Sequence, residues 1–123
     1  MIQAVHLPTQ RQVAVKKITD IFFDAHDTRR LLREVKLLRY LSNHRNVIRL
    51  FDVLTPKDLQ TFQHLYLVFE YAPSDLRKVY RSQANLTELH IQTIIYNLLC
   101  GVKYLHSANV IHRDLKPANV LVN

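Results

Sequence analysis

Eight consecutive residues hold the densest chemistry in the chain: His112-Arg113-Asp114-Leu115-Lys116-Pro117-Ala118-Asn119. Within six of them stand a carboxylate, an ammonium and a carboxamide. Such a set can accept a hydrogen bond or a proton, neutralise an anion and lend a neutral oxygen to a hard cation. Two further charged groups stand apart from it. Lys16 follows the apolar run Val13-Ala14-Val15, and Glu34 lies inside a helical pattern, one residue before the apolar position Val35. A polar loop after a helix and a solvated lysine at a strand end are the plain alternatives. For Glu34 the alternative is a surface pair with Arg30, four residues earlier.

The elements that must position these groups read as follows. Ile2 to Leu7 is a strand, Pro8-Thr9-Gln10-Arg11 a turn, and Val13-Ala14-Val15 a second strand stopped by Lys16-Lys17. Asp27 or Thr28 caps a helix running to about Leu41, with Leu31, Val35, Leu38 and Leu41 on one stripe. Val47 to Leu54 is β-rich, broken by Thr55-Pro56-Lys57-Asp58. Leu65 to Phe69 is a continuous apolar run, expected as a buried strand. Ala72-Pro73-Ser74 is a linker before a short helix from Asp75 to Tyr80. Thr87 caps a long helix to about His106, with Glu88 favourable in its first turn. Its apolar residues Ile91, Ile94, Ile95, Leu98, Leu99, Val102 and Leu105 exceed one narrow stripe, so it needs partners on two sides. Val110-Ile111 and Val120-Leu121-Val122 are strand-like. The order is α+β in two parts, 1–71 and 72–123.

Composition narrows the function. The 123 residues are 48% hydrophobic and 22% charged, which suits a globular chain and not a disordered one. The single Cys100 allows neither an internal disulfide nor a Cys-based zinc site. Gly101 is the only glycine, where average usage of about 7% would give roughly nine. No Gly-rich phosphate loop fits inside these residues. The N-terminus has no secretory pattern, and no apolar stretch reaches the roughly 20 residues of a membrane span. The expectation is a soluble chain, cytoplasmic or also nuclear, with no membrane partner. The net charge of +7 comes from basic residues spread along the chain, so nucleic acid is not the expected partner.

The His112–Asn119 segment resembles the catalytic loop of protein kinases, H-R-D-L-x-x-x-N, at all five fixed positions. The resemblance implies a truncated protein-kinase-like fold and transfer of the γ-phosphoryl of ATP to a protein serine or threonine. That reaction needs in-line positioning and charge neutralisation more than covalent chemistry. By resemblance, Asp114 accepts the hydrogen bond of the attacking hydroxyl, Lys116 meets the developing charge, and Asn119 is a Mg²⁺ ligand. Val13-Ala14-Val15-Lys16 looks like the V-A-I-K strand, whose lysine holds the ATP phosphates and pairs with the helix glutamate, here Glu34. Leu65 to Ala72 is similar to the strand entering the kinase hinge. Phe69 is then the bulky residue behind the adenine pocket, and the Glu70 carbonyl and Ala72 amide meet the adenine edge. Ala14 and Leu121 sandwich the ring, and Asp75 and Lys78 are placed for the ribose.

Lys116 resembles the Ser/Thr branch. Arg30-Leu-Leu-Arg-Glu-Val-Lys-Leu-Leu-Arg39, Leu50-Phe-Asp-Val-Leu-Thr-Pro56 and Tyr104-Leu-His-Ser-Ala-Asn-Val-Ile-His112 all look like mitogen-activated protein kinases. Phe69-Glu70 is closer to cyclin-dependent kinases, but their cyclin-binding signature is absent before Glu34. Expected partners are ATP, protein substrates and an upstream kinase. The resemblance runs from about Ala4 to Asn123, and Ala118 departs mildly from the serine many relatives carry. The Gly-rich loop and the D-F-G motif lie outside these residues, so the chain is expected to be a fragment, inactive alone. The alternatives are a cyclin-dependent-type kinase and a non-catalytic module that occupies a kinase partner.

Overall fold

The computed structural model describes residues 1–56 and 63–122. The chain divides into two compact units: Met1–Asn43 with Ile48–Tyr71, and His44–Val47 with Ala72–Asn123.

The first unit is a four-stranded antiparallel sheet and one helix. The strands are β1 (Ile2–His6), β2 (Arg11–Ile18), β3 (Leu50–Leu54) and β4 (Leu65–Glu70), in the order β1-β2-β4-β3. β2 does not stop at Lys16-Lys17. It pairs with β4 from Val13 to Ile18, setting Lys16 opposite Leu67, Lys17 opposite Tyr66 and Ile18 opposite Leu65. The ladder with β4 continues past the end of the β1 pairing at Val15, and long lysine stems lie along a sheet without interrupting it. The Lys17 ammonium sits 6.0 Å from the Tyr66 ring centre.

β4 is buried on alternate residues. Leu65, Leu67 and Phe69 point into the core, while Tyr66, Val68 and Glu70 are half-buried. The apolar run therefore serves one fully covered face and one partly covered face. β3 begins at Leu50, later than the β-rich stretch from Val47 suggests, and a register shift falls between Leu50 and Asp52. Of the break expected at 55–58, Lys57 and Asp58 lie outside the described residues.

Helix α1 (Ala25–Leu41) lays the expected stripe on this sheet. Leu31, Val35 and Leu38 pack against the cluster of Ile21, Leu50, Leu65, Leu67 and Phe69. Its cap is Asp24, not Asp27 or Thr28. The Asp24 carboxylate accepts the His26 N–H at 2.9 Å. Thr28 instead turns its hydroxyl to the carbonyls of Ile21 and Asp24, bracing the first turn.

The second unit is built on helix α3 (Glu88–Ser107). Thr87 and His90 cap it reciprocally: the Thr87 hydroxyl accepts the His90 N–H, and the His90 Nδ1 accepts the Thr87 N–H, each at 3.3 Å. The helix carries the chain's only glycine at its buried face. A Cβ on Gly101 would lie 2.8 Å from the Asn46 carbonyl oxygen, so only glycine permits this approach. One turn on, His44 stacks on Tyr104 with ring centres 4.5 Å apart. α3 ends through Asn109, held at φ 57°, and Val110, whose N–H returns to the Leu105 carbonyl at 2.9 Å. That bond closes the helix, and Val110-Ile111 consequently forms no strand.

The second unit also holds a two-residue strand β5 (Ser74–Asp75) and the short helix α2 (Leu76–Arg81). A 3-10 turn (Pro117–Asn119) and strand β6 (Leu121–Val122) close the second unit, with Ser74 opposite Val122 and Asp75 opposite Leu121. Among the described residues, no helix is long and apolar enough to cross a membrane.

Candidate active site

In the second unit, the loop after α3 folds Asp114, Lys116 and Asn119 into one cluster. His112 begins it: its Nδ1 accepts the Asp114 N–H at 3.3 Å, spanning Arg113. Arg113 is consequently left-handed, at φ 65°. For a side chain with a Cβ, that conformation costs roughly 1–3 kcal/mol and persists only where surrounding bonds hold it. Pro117 then opens the 3-10 turn with its fixed φ, and the Asn119 N–H donates to the Lys116 carbonyl at 2.9 Å.

The Asp114 carboxylate receives two donors. The Lys116 ammonium lies 2.9 Å from Oδ2, and Asn119 Nδ2 donates to the same oxygen at 2.9 Å. Asn119 Nδ2 also donates to the Asp114 backbone carbonyl at 2.8 Å. The hydrogen bond from Lys116, then that from Asn119, holds the Asp114 carboxyl below the ordinary aspartate range. All three side chains are exposed. Both contacts use the Asn119 nitrogen, and its carboxamide oxygen has no hydrogen-bond partner among the described residues. A hard, neutral oxygen of this kind fits a magnesium ion.

In the first unit, Lys16 meets Glu34. The ammonium lies 3.2 Å from the carboxylate, with the side chains 41% and 44% exposed. Arg30 takes no part in an ion pair among the described residues, so the alternative partner for Glu34 is not the one adopted. The spacing logic is visible in the packing. Val35 faces the core, and Glu34 beside it reaches the strand where Lys16 stands opposite Leu67.

The residues expected around a nucleotide divide between the units. Ala14 stands opposite Phe69, and both join the core cluster of the first unit. The Glu70 N–H donates to the Arg49 carbonyl at 2.9 Å. In the second unit, the Ala72 amide has no hydrogen-bond partner among the described residues. Asp75 caps α2 by accepting the Lys78 N–H at 2.9 Å, and its carboxylate lies 3.7 Å from the Lys78 ammonium. Leu121 is exposed. Two features went unread in the sequence: the close approach at Gly101, for which a lone glycine inside a helical pattern is a signal, and the strain at Arg113, for which there is none.

A model of the protein kinase domain matches residues 1–123. The chain belongs to the protein kinase family. Within that family, this kinase chain is similar to mitogen-activated protein kinase homolog MMK2 of Medicago sativa, 45% identical over 120 residues, covering 98% of this chain and 32% of that protein. It is also similar to mitogen-activated protein kinase 4a of Physcomitrium patens, 48% identical over 115 residues, covering 94% of this chain and 30% of the relative. A third is mitogen-activated protein kinase 14 of Arabidopsis thaliana, 46% identical over 120 residues, covering 98% and 33%. The kinase chain thus spans about a third of the length of the curated relatives it matches. The family and the mitogen-activated type read from its motifs are borne out.

Proposed function

We propose that these residues form part of the catalytic domain of a mitogen-activated-type protein kinase, which transfers the γ-phosphoryl of ATP to a serine or threonine of a protein. The observation that carries the reading is the Asp114 carboxylate held by both Lys116 and Asn119 on one short loop. These 123 residues contain no Gly-rich loop and no D-F-G. The reaction is proposed for a domain that carries those parts as well, since the transfer uses both.

Asp114 is the acceptor for the hydrogen of the attacking hydroxyl. Its lowered pKa makes it a weak base, suited to orienting the hydroxyl and taking the proton late. A loose transition state asks for this, because little nucleophile activation is needed. Lys116 places a positive charge beside the transferred group. Lys16, steadied by Glu34, is assigned to the α- and β-phosphates. Ala14, Phe69, Glu70, Ala72 and Leu121 are assigned to the adenine, and Asp75 with Lys78 to the ribose. The Asn119 oxygen is the magnesium donor these residues offer, and magnesium, when bound, neutralises phosphate charge. Protein substrates and an upstream activating kinase are the proposed partners.

Lys16→Met tests the assignment in the full-length gene product. The exposed Lys16–Glu34 pair supports stability by about 0–1 kcal/mol, so folding is expected to survive. Transfer is expected to fall about 10²–10³-fold, as when a preorganised charge is lost from a reacting site. Unchanged kcat/KM in a folded Lys16→Met variant would show the assignment to be wrong.

A further inference from the structure

The start of α2 is tied to the segment after the 3-10 turn. Ser74 and Asp75 pair with Val122 and Leu121, and the Leu76 N–H donates to the Val120 carbonyl at 2.8 Å. These links set Arg77, one residue further, beside the catalytic loop. Arg77, Lys116, Pro117 and Ala118 line a concavity of about 400 Å³. The charges that line it are of one sign. Lys116 is already engaged with Asp114 at 2.9 Å, whereas Arg77 has no ion-pair partner among the described residues. Arg77 is exposed, and its guanidinium is permanently charged, with a planar fork matched to carboxylate or phosphate. The methyl group of Ala118 leaves the wall low and offers an incoming side chain no polar competitor.

We propose that this concavity takes an anionic side chain of the protein substrate, a carboxylate or a phosphorylated residue, and that Arg77 selects it. The inference rests on the kinase reading and adds the substrate class: serine or threonine segments with an acidic residue close to the accepting hydroxyl. Lys116 lines the concavity and touches Asp114, so a substrate chain presented to Asp114 passes it within a few residues, each extended residue covering about 3.3–3.6 Å.

The test uses matched fluorescent serine peptides carrying Glu, phosphoserine, Ala or Lys at each position around the serine. They are titrated against the full-length gene product without ATP and, separately, offered to it with ATP. At one position, the Glu and phosphoserine peptides are expected to bind about three- to five-fold tighter than the Lys peptide, as an exposed ion pair supports. Arg77→Gln is expected to abolish that order and Arg77→Glu to reverse it, which loss of folding does not do. Equal binding of Glu and Lys peptides at every position overturns the proposal. So does a preference for Glu that is spread over all positions and survives in Arg77→Glu, because the net charge alone produces it. In the transfer arm, phosphorylation without any charge order removes this inference and leaves the kinase reading standing. Absence of transfer to every peptide removes the kinase reading, while the binding order still decides what Arg77 recognises.

Discussion

The Asn119 carboxamide nitrogen donates to Asp114 at two points, the backbone carbonyl at 2.8 Å and the carboxylate at 2.9 Å. The two residues are five apart, and the intervening Pro117 turn brings them together. One geometry thus serves two ends: it steadies the carboxylate and leaves the Asn119 oxygen without a hydrogen-bond partner among the described residues.

The first consequence is a titration. Asp114 is expected to titrate below an ordinary aspartate, because Lys116 and then Asn119 bond its charged form. A group with a depressed folded pKa contributes to stability above its unfolded value, and the contribution is lost as pH falls through the folded value. The loop is therefore expected to hold through the range where free aspartate protonates and to release below it. A carbon-detected NMR titration checks this. Lys116→Met is expected to move the Asp114 midpoint upward. A midpoint at the free-aspartate value in the unaltered chain counts against the pairing.

Gly101 offers a test of packing in the second unit. Alanine is favoured over glycine inside a helix by about 1 kcal/mol. Here the added Cβ meets a backbone oxygen, that of Asn46, at 2.8 Å, and backbone cannot swing aside like a side-chain tip. Overpacking costs typically about 1–3 kcal/mol. Gly101→Ala is therefore expected to lower stability by about 1–2 kcal/mol in denaturant unfolding, with the His44–Tyr104 stack loosened. A stabilised variant would show that the segment at Asn46 gives way freely.

The long helix bears on behaviour in solution. Leu89, Ile91, Ile95, Tyr96 and Leu99 are all exposed on α3. Ile91, Ile95 and Leu99 follow one another at four-residue spacing and form a continuous apolar stripe. Burying a large apolar side chain stabilises by roughly 1.5–3 kcal/mol, and charge repulsion from the net +7 is screened beyond about 8 Å at physiological salt. The 123-residue chain is expected to self-associate as its concentration rises, with a broad thermal transition. Light scattering that shows a monodisperse monomer across the range, with one sharp transition, would contradict this.

Much of this was legible in the residues because local rules and global fold agree. The stripe Leu31, Val35, Leu38 reads as a packed helix face and is one. Thr87 reads as a cap and is one. Glu34 was placed toward Lys16 by its position beside Val35, and the ion pair follows from that. The misreadings fall where a neighbour's backbone decided the outcome. Lys16-Lys17 looks like a strand end until β4 supplies a partner for each. Val110-Ile111 looks like a strand until the Val110 N–H is needed to close α3. Asp27 is as good a capping type as Asp24, and only the path of the chain from Ile21 separates them. Arg77 carries no motif at all, and its place beside Lys116 comes from the pairing of β5 with β6.

The most direct measurement is phosphoryl transfer from labelled ATP to a serine or threonine protein substrate by the full-length gene product, with and without Asp114→Asn. That substitution is nearly isosteric and removes the negative charge that Lys116 and Asn119 now hold. Transfer by the unaltered protein, falling by about 10²-fold or more in Asp114→Asn as expected for loss of a positioned acid–base group, is the predicted result. Transfer that continues at the unaltered rate in a folded Asp114→Asn protein would contradict the assignment at its centre.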